Sequence, residues 1–361
     1  MAAAKSNIRD RGITKGMIKM KTLETERLIL RGFKPDDFDA VHSYACCVEN
    51  TVYMPWGPNT EDETRAFIDA AIKETAEDNP NKSYMYAAVL KDTGRLIGGC
   101  DISIKDNLGS LGWILHRDYW KQGYMPEIGK ALLKFGFEEC GLHRIVARCD
   151  LENYGSYRVM EKIGMRREGV FLESCPPNKL SDKPYNDEFS YAILKDEWDA
   201  QNEMAYYSSL PVIFDGFIDV PELVDEEIYL VCTGKKQAIP DKKYVPAYEF
   251  AVCKRGEKIG DINLRIGYTD ALYYSGQIGY SIDGKHRGNG YAARACRLLQ
   301  PVAAAHGMKK LLITNDYSNA ASRRVCEKLG ARLVRCGRLP EWHDLYKDGR
   351  RFWNIFEWSI D

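Results

Sequence analysis

The amino-acid sequence predicts an α/β (α+β) protein in which one domain occurs twice in tandem. Two observations support this fold class. A block of residues, formed by a glycine-containing loop and the helical segments after it, occurs twice, about 167 residues apart. Each block follows strand-like segments separated by short turns, so strands and helices have the same order in both halves. The length of 361 residues fits two or three domains.

The repeat keeps its register over most of the block. Gly123-Tyr124 in the first copy matches Gly290-Tyr291 in the second, 167 residues later. Farther along, the pattern Asn-x-x-Ser-x-Arg-Val-x-Glu-Lys-x-Gly occurs at 153–164 and again at 319–330, an offset of 166. Because the offset changes by a single residue over so long a stretch, we interpret the two blocks as copies of one domain.

In the first unit, apolar alternation and turn residues predict the strands. These strands lie at 25–31, 84–90, 95–104, 110–115, 144–148, 169–173 and 187–194. Capping and first-turn residues predict the helices. They begin at Pro35, at the capping box of Thr60 and Glu63 (ending near Asn79), at Pro126 (ending at Gly141) and at Asn153 (ending at Ile163).

The second unit repeats this order with one large omission. Its strands are predicted at 228–231, 248–254, 258–265, 277–282 and 309–313, and its helices at 293–305 and 319–329. Between its first two strands it has only about sixteen residues, whereas the first unit has more than fifty there, with two helices. The second unit is therefore predicted to lack most of this helical pair.

The domain boundary is predicted in the polar stretch between Trp198 and Leu210. We expect a disordered leader or a non-native addition at 1–20, a first domain at 21–199, a linker at 200–210 and a second domain at 211–361. The leader is basic and lacks the apolar segment of a secretory signal.

Composition argues against several function classes. The formal net charge is −1, so no overall field attracts nucleic acid or an anionic membrane. No apolar run approaches the ~18 residues of a membrane span. The 11 cysteines and 6 histidines show no ligand spacing. We therefore predict no metal site, and reduced thiols in a cytoplasmic protein.

The two glycine loops are the strongest candidates for a binding element. The loop residues are Gln122, Gly123, Tyr124 and Met125 in the first unit and Arg287, Gly288, Asn289, Gly290, Tyr291 and Ala292 in the second. Glycine lets backbone N–H groups approach phosphate oxygens, and the helix behind it directs free N–H groups and a positive dipole end at an anion. The loops therefore predict pyrophosphate sites; the alternative is an ordinary tight turn between a strand and a helix.

The loops and the blocks behind them resemble the GNAT superfamily of N-acetyltransferases. Arg287-x-x-Gly290-x-Ala292 matches the family's acetyl-CoA pyrophosphate motif, whereas Trp120, Lys121 and Met125 depart from its strict form. The resemblance extends from Lys21 to the end of the chain. It implies a mixed, mostly antiparallel sheet in each unit, splayed open at its middle, with acetyl-CoA in the cleft.

The first unit is similar to one branch of this superfamily, the enzymes that acetylate the N-terminal alanine or serine of ribosomal proteins. The similarity lies in Thr25-Glu26-Arg27-Leu28-x-Leu30-Arg31, Tyr119-Trp120, Gly123-Tyr124, Gly141-Leu142-x-Arg144 and the 153–164 block. It implies that a protein N-terminus is one possible acceptor.

The resemblance also assigns a role to Asn153 and Asn319. Each would hydrogen-bond the pantetheine arm of acetyl-CoA or order the helix beside it. The alternative interpretation is that Asn-x-x-Ser marks only a helix N-terminus, where both residue types are favoured as caps.

The proton donor to the leaving thiolate differs from that of many relatives. The tyrosine that those enzymes carry seven residues after the asparagine is replaced by Met160 in the first unit and by Cys326 in the second. The donor would then be Ser156 or Ser322, as in the ribosomal-protein branch, with Tyr157 as a weaker candidate.

The general base is left open by the sequence. Relatives often have a glutamate where this chain has Ser110 and Gln277, and neither side chain accepts a proton at neutral pH. Either an ordered water works with a carboxylate from the helical pair, such as Asp36, Asp37 or Glu63, or the amine arrives neutral. Charges at a helix start are, however, commonly solvated.

The sequence thus predicts an acetyl-CoA-dependent N-acetyltransferase that acts on a primary amine by direct transfer in a ternary complex. The acceptor would be a protein N-terminus or a small amine, such as an antibiotic or a polyamine. The alternative is that one unit, more readily the C-terminal one, is a non-catalytic module that binds acyl-CoA or acts as a scaffold. The expected partners are acetyl-CoA and the amine, without nucleic acid or membrane; the oligomeric state is open.

Overall fold

The computed structural model of the chain describes residues 20–76, 83–177, 179–242 and 244–360. The chain forms two compact units, which divide between Trp198 and Asp199. Each unit has its own hydrophobic core. Residues 1–19 of the expected leader, and the predicted helix end near Asn79, lie outside the described residues.

The first unit contains an eight-stranded sheet. Its strands are β1 (Leu23–Glu24), β2 (Leu28–Arg31), β3 (Ser83–Leu90), β4 (Leu96–Lys105), β5 (Leu108–Leu115), β6 (Arg144–Asp150), β7 (Arg166–Cys175) and β8 (Asn186–Leu194). Their order across the sheet is β1-β2-β3-β4-β5-β6-β8-β7, and every pair is antiparallel except β5 with β6. This confirms the predicted fold class of a mixed, mostly antiparallel sheet.

The sheet opens where β5 meets β6. The two strands pair over four residues each, from Leu108 opposite Arg144 to Leu111 opposite Ala147. Farther along they run on to Leu115 and Asp150 without pairing to each other. Backbone groups that face such a gap need another partner, so the gap offers hydrogen bonds to an extended ligand.

Helices cover both faces of this sheet. They are α1 (Phe38–Ala45), α2 (Val48–Thr51), α3 (Glu61–Ala76), α4 (Tyr124–Lys134, continued by a π-helical turn, Phe135–Glu139) and α5 (Tyr154–Lys162). Alternate residues of each strand point to opposite faces. Cys100 and Ile102 of β4 accordingly join α4 and α5 in one core cluster, whereas Ala87 of β3 joins α1 and α3 in another.

A further helix, α6 (Lys195–Ser208), occupies most of the segment that was expected to be a linker. The segment 200–210 was predicted to be a linker because it is polar, but it contains two apolar residues three positions apart, Met204 and Tyr207. Both pack into a cluster with Tyr273 and Ile355, so this part of α6 has one buried side. The expected linker is therefore helical as far as Ser208.

The second unit contains two antiparallel sheets in place of the single mixed sheet that was predicted for it. Its strands are β9 (Leu223–Val224), β10 (Tyr229–Lys236), β11 (Ala247–Lys254), β12 (Glu257–Arg265), β13 (Ile278–Ile282), β14 (Lys310–Asp316), β15 (Arg332–Arg338) and β16 (Phe352–Ser359). The orders are β13-β12-β11-β10-β9 and β14-β16-β15. The sequence did not predict β9, β15 or β16.

Gln277 joins the two sheets where the first unit has its parallel strand pair. Its backbone N–H donates to the Leu312 carbonyl over 2.8 Å, and its side-chain oxygen accepts from the Leu312 N–H over 2.6 Å. The same amide donates to the Gly267 carbonyl over 3.0 Å, and the residue is completely buried. The position that holds a glutamate in many relatives is therefore structural here.

The second unit has short helices. They are α7 (Asp270–Ser275), α8 (Tyr291–Leu298), α9 (Gln300–Ala305), α10 (Ala320–Leu329) and α11 (Asp344–Lys347). The helix predicted at 293–305 is interrupted between α8 and α9 because Pro301 has no N–H to donate to the preceding turn. Between β10 and β11, the described residues contain a 3₁₀ turn, Pro240–Lys242, and an isolated bridge between Ile239 and Tyr244, but no α-helix. None of the helices in the described ranges is long and apolar enough to span a membrane.

Candidate functional site

The two glycine loops have the same backbone conformation. Gly123 and Gly290 have φ angles of 83° and 82°, and each directly precedes its helix, α4 or α8. Two residues earlier, Lys121 has a φ of 61° where the second loop has Gly288 with a φ of 84°. A lysine in this left-handed region is strained relative to glycine. The departure at Lys121 thus changes the side chain while the backbone keeps its shape.

Trp120 replaces Arg287 as a brace for the loop. The indole N–H of Trp120 donates to the Leu115 carbonyl over 2.7 Å, and Nε of Arg287 donates to the Ile282 carbonyl over 2.9 Å. Leu115 and Ile282 are the last residues of the equivalent strands β5 and β13. Two chemically different side chains therefore tie the loop to the same point of the strand.

Other loop side chains also stabilise the loop itself. The amide groups of Gln122 and Asn289 donate to backbone carbonyls a few residues earlier in their loops. The side chains of Met125 and Tyr291 are buried in the cores of their units. The surface that remains for a ligand is largely backbone.

The helices behind the loops begin without a side-chain cap. The first N–H groups of a helix have no partner within it, so they are available to an anion. In α8 these groups belong to Tyr291, Ala292 and Ala293. In α4 the third position is Pro126, which has no N–H, so the first unit offers one donor fewer.

An ion pair ties the start of α4 to the turn before β2. Glu127 accepts hydrogen bonds from the backbone N–H and from Nε of Arg27, both over 2.8 Å. The guanidinium also lies 4.2 Å from the centroid of the Tyr124 ring and donates to the Gln122 carbonyl. Burial raises the pKa of Glu127, but the hydrogen bond from the Thr25 hydroxyl and then those from Arg27 outweigh burial, so the pKa of this carboxyl is lowered overall.

The second unit has the same link with its charges exchanged. Arg294, at the position of Glu127, lies 3.2 Å from a carboxylate oxygen of Asp225 and 3.4 Å from one of Glu227. The turn is equivalent as well, since Asp225 accepts from the Ile228 N–H as Thr25 accepts from the Leu28 N–H.

Beside the second loop there is an open cavity of about 570 Å³. Its lining includes Gly290 and the three cationic side chains of Arg294, Arg297 and Lys328. Asp225, the partner of Arg294, also lines the cavity, so the lining has a surplus of positive charge beside the loop, and polyphosphate ligands need positive charge around them.

Asn153 and Asn319 are the N-caps of α5 and α10. Each side-chain oxygen accepts from the backbone N–H three residues later, that of Ser156 or Ser322, over 3.0 Å. The capping interpretation therefore describes this contact, and it uses only one of the two lone pairs of each amide oxygen.

The two candidate serine hydroxyls have different partners. That of Ser156 hydrogen-bonds with the Cys149 thiol, whose pKa is raised to about 12, chiefly by burial. Ser322 is buried, and its hydroxyl lies 2.8 Å from the Tyr280 hydroxyl. Tyr157 packs edge-to-face against the rings of Tyr154 and Phe189. Both serines lie in the first turn of a helix that directly follows a strand, α5 after β6 in the first unit and α10 after β14 in the second.

Two of the three carboxylates named as sources of a base have structural partners. Asp37 forms a two-point ion pair with Arg31, with distances of 2.7 and 2.8 Å. Glu63 accepts from the Thr60 N–H in the capping box and pairs with Lys179, which lowers the pKa of this carboxyl. Asp36 is exposed at the first turn, and Ser110 lies within the paired part of β5.

Asp101, which the sequence analysis did not single out, lies beside the gap. It is half-buried on β4, opposite Gly112 of β5. Desolvation raises its pKa to about 6. A charged residue inside the apolar strand Gly98-Gly-Cys-Asp-Ile-Ser-Ile104 was the signal that could have identified it. Within the described ranges, no group of three or more His, Cys, Asp or Glu side chains could hold a metal ion.

The chain matches a known domain family in two regions. The model of the acetyltransferase (GNAT) domain matches residues 27–166 and 222–332. Each region contains one glycine loop and one Asn-x-x-Ser helix start.

Individual relatives each match about half of the chain. N-acetyltransferase YnaD of Bacillus subtilis is 37% identical over 178 residues, which are 49% of this chain and 98% of that protein. N-acetyltransferase p20 of Bacillus licheniformis is 30% identical over 43% of this chain and 87% of that protein. Among solved structures, a GNAT-family acetyltransferase from Bacillus anthracis is 36% identical, with a TM-score of 0.43, over 48% of this chain and 99% of that one.

Proposed function

The chain belongs to the GNAT family of acetyltransferases, and from this premise we propose that it transfers acetyl from acetyl-CoA to a primary amine while both are bound. One observation carries the proposal. Two loops of the same backbone conformation each begin a helix with an uncapped first turn, and such helix starts bind pyrophosphate. Holding both reactants in line beside the open sheet contributes several kcal/mol to the rate.

Each loop supplies a separate set of groups for acetyl-CoA. The backbone N–H groups of 122–125 and of 287–292 would bind the pyrophosphate. In the second unit, Arg294, Arg297 and Lys328 add positive charge around the cavity. The pantetheine arm would lie in the gap, where β5 beyond Leu111 has no partner from β6.

Ser156 is the proposed proton donor to the thiolate in the first unit, and Ser322 is its counterpart in the second. Ser156 lies at the start of α5, beside the end of β6, where the reactive end of a bound thioester would lie. Its hydroxyl is tied to the Cys149 thiol. The raised pKa of this thiol keeps it protonated at neutral pH, so the hydroxyl has a neutral neighbour.

The acceptor would enter the first unit from the face covered by α1 and α3. Tyr53 and Phe67 are each 37% exposed there, and Trp56 is partly buried against the core cluster that includes residues of α1 and α3. Phe67 also packs edge-to-face on Phe33, a core residue, with ring centroids 5.3 Å apart. Tyr53, Met54 and Trp56 are the lining residues that we propose for a protein N-terminus or a small amine.

The test is product formation from a panel of amines. The whole protein is incubated with acetyl-CoA and with peptides that begin with alanine or serine, polyamines or aminoglycosides, and the products are identified by mass spectrometry. At least one acceptor should gain an acetyl group. If no amine is acetylated while acetyl-CoA still binds, the transferase proposal fails and a binding module is the better description.

A second candidate applies to the C-terminal unit alone, namely that it holds acyl-CoA without transferring the acyl group. The observation that favours it is the connection between β10 and β11. Its described residues form a 3₁₀ turn where the first unit has α1, α2 and α3.

A further inference from the structure

We propose that Asp101 is the base that accepts a proton from the ammonium group of the acceptor in the first unit. This inference rests on the acetyl transfer proposed above and identifies the group that sequence motifs left open.

The side chain of Asp101 lies on the acceptor face of the sheet. Its neighbours on β4, Cys100 and Ile102, point into the core below α4, so Asp101 points to the side of α1 and α3. It lies between Met85 on β3 and Gly112 on β5. Gly112 is the first residue of β5 beyond its last pairing with β6. The carboxylate is therefore at the edge of the gap, on the side from which the amine would come.

The glycine opposite Asp101 provides space for the carboxylate. A Cβ atom at Gly112 would lie 2.3 Å from Oδ1 of Asp101, closer than any side chain allows. Because Gly112 has no side chain, the carboxylate lies over bare backbone.

Asp101 has no cationic partner among the described residues. Its one side-chain hydrogen bond comes from the Ser103 hydroxyl over 3.1 Å, and Ser103 in turn lies 2.7 Å from the Ser83 hydroxyl. A half-buried carboxylate without a counter-charge is suited to receive one, and an ammonium group is a ligand of the right sign and size.

The groups around Asp101 tune it for proton transfer near neutral pH. Burial raises its pKa to about 6, the Ser103 hydrogen bond opposes this, and Glu74 of α3 adds to it. Met85 and Gly112, opposite it on the adjacent strands, carry no charge. A base with a pKa close to the working pH is mostly ionised and still holds a proton well enough to assist transfer.

The second unit has an amide at this place. Asn263 lies opposite Gly279 on β13, as Asp101 lies opposite Gly112 on β5. An amide does not accept a proton at neutral pH. Asp101 and Asn263 have the same shape, and they differ in that one carboxylate oxygen is replaced by an NH₂ group. The second unit therefore shows that the fold accommodates asparagine at this position.

The reaction begins with proton transfer to Asp101. The acceptor ammonium gives one proton to the Asp101 carboxylate and becomes a neutral amine. The nitrogen forms a bond to the thioester carbonyl carbon, and the carbon–sulfur bond breaks. The second nitrogen proton reaches the sulfur, directly or through the Ser156 hydroxyl, and Asp101 later releases its proton to water. The products are the amide, free thiol and one proton.

The first experiment is Asp101→Asn in the whole protein, assayed with an amine that the wild type acetylates. At pH 7 we expect kcat/KM to fall roughly a hundredfold or more, with acetyl-CoA affinity unchanged by calorimetry. The wild-type rate should rise with pH through about pH 6, following the pKa of Asp101. The variant should lack this rise and recover at alkaline pH, where the amine loses its own proton.

Ser103→Ala is the companion variant. Since the Ser103 hydrogen bond lowers the pKa of Asp101, its loss should move the acidic limb of the profile to higher pH, which a purely structural change would not do. If wild type is active and Asp101→Asn keeps its rate and pH profile, the assignment of Asp101 is wrong while the transferase function stands. Loss of acetyl-CoA binding in Asp101→Asn would also overturn it, in favour of a structural role. If wild type acetylates no amine, the proposed function itself fails.

Discussion

Ser156 contributes two separate groups at the start of α5. Its backbone N–H donates to the side-chain oxygen of Asn153 over 3.0 Å, and this contact caps the helix. Its hydroxyl contacts the Cys149 thiol instead. Because the cap does not use the hydroxyl, the structural and the chemical role of this residue can be tested independently.

Ser156→Ala should lower turnover by about tenfold or more if the hydroxyl protonates the thiolate, with little change in acetyl-CoA affinity or in the free energy of unfolding. The control is Asn153→Ala, which removes the cap and should cost about 1 kcal/mol of stability. Steady-state kinetics and chemical denaturation measure the two effects. A Ser156→Ala protein with the wild-type rate would assign proton donation to Tyr157 or to water.

Asp101 also has a consequence for stability. Its pKa is raised in the folded state, to about 6 from the ordinary 3.8. The folded state is therefore favoured while the carboxyl is protonated, and this stability is lost as the pH rises from about 4 through about 6. Asp101→Asn should then unfold at a higher temperature than wild type at pH 8, with a smaller difference near pH 4. An equal difference at both pH values would contradict the raised pKa.

At the scale of elements, an ion pair joins the turn before β2 to α4 in the first unit, and an ion pair joins the turn before β10 to α8 in the second. The acidic and basic residues have exchanged places between the two. Arg27 pairs with Glu127 in one unit, and Glu227 pairs with Arg294 in the other. The geometry of the link is thus kept while its charges are exchanged.

This exchange predicts the result of a double-mutant cycle in the first unit. Arg27→Glu and Glu127→Arg should each destabilise the protein, because each places like charges together. The double variant should recover part of the loss, with a coupling energy of about 1 kcal/mol, since the pair is partly exposed. Chemical denaturation measures the energies, and a repeat at high salt should shrink the coupling. Strictly additive losses would show that the pair does not stabilise the link.

The sequence predicted most elements correctly because they depend on local signals. The capping box of Thr60 and Glu63 forms as expected. Two of the elements that were missed have weak local signals: β9 has only two residues, and the apolar side of α6 is evident only from the cluster that it joins.

The candidate site was predictable where it depends on backbone, and less so where it depends on packing. Gly123 and Gly290 indicated the loops in the sequence, because a left-handed backbone conformation before a helix favours glycine. No sequence pattern could show that Lys121 adopts the left-handed conformation of Gly288. Nor could it show that Trp120 donates to the Leu115 carbonyl as Arg287 donates to the Ile282 carbonyl. The charge of Asp101 inside an apolar strand is visible in the sequence, but its place beside the gap depends on the strand opposite it, at Gly112.

For the whole molecule, we predict two acetyl-CoA sites per chain. Gly123→Asp and Gly290→Asp place a carboxylate at one loop each and should weaken that site by about tenfold or more. The matched controls are Gly123→Asn and Gly290→Asn, since asparagine tolerates the left-handed conformation about as well as aspartate does and carries no charge. Calorimetric titration counts the sites. One site in the wild type, lost only in Gly290→Asp, would show that the first loop does not bind.

The same variants identify the unit that carries the activity. With an external amine, Gly123→Asp should abolish most of the turnover and Gly290→Asp should leave most of it. The reason is that the first unit alone combines a glycine loop with α1–α3 and Asp101. Point variants of the full chain are preferable to fragments cut near residue 205, because that cut falls inside α6. Activity that follows Gly290 instead would place the transferase site in the second unit.

The exchanged ion pair has a consequence for how the chain assembles. Two similar domains on one polypeptide risk misassembly, in which a segment of one docks onto the other. If the first turn of one unit met the loop helix of the other, Arg27 would face Arg294, and Glu227 would face Glu127. Both mispairings are repulsive, whereas identical copies of the link would have attracted each other equally well. The charge order of the pair therefore differs between the two units and favours pairing within each unit during folding.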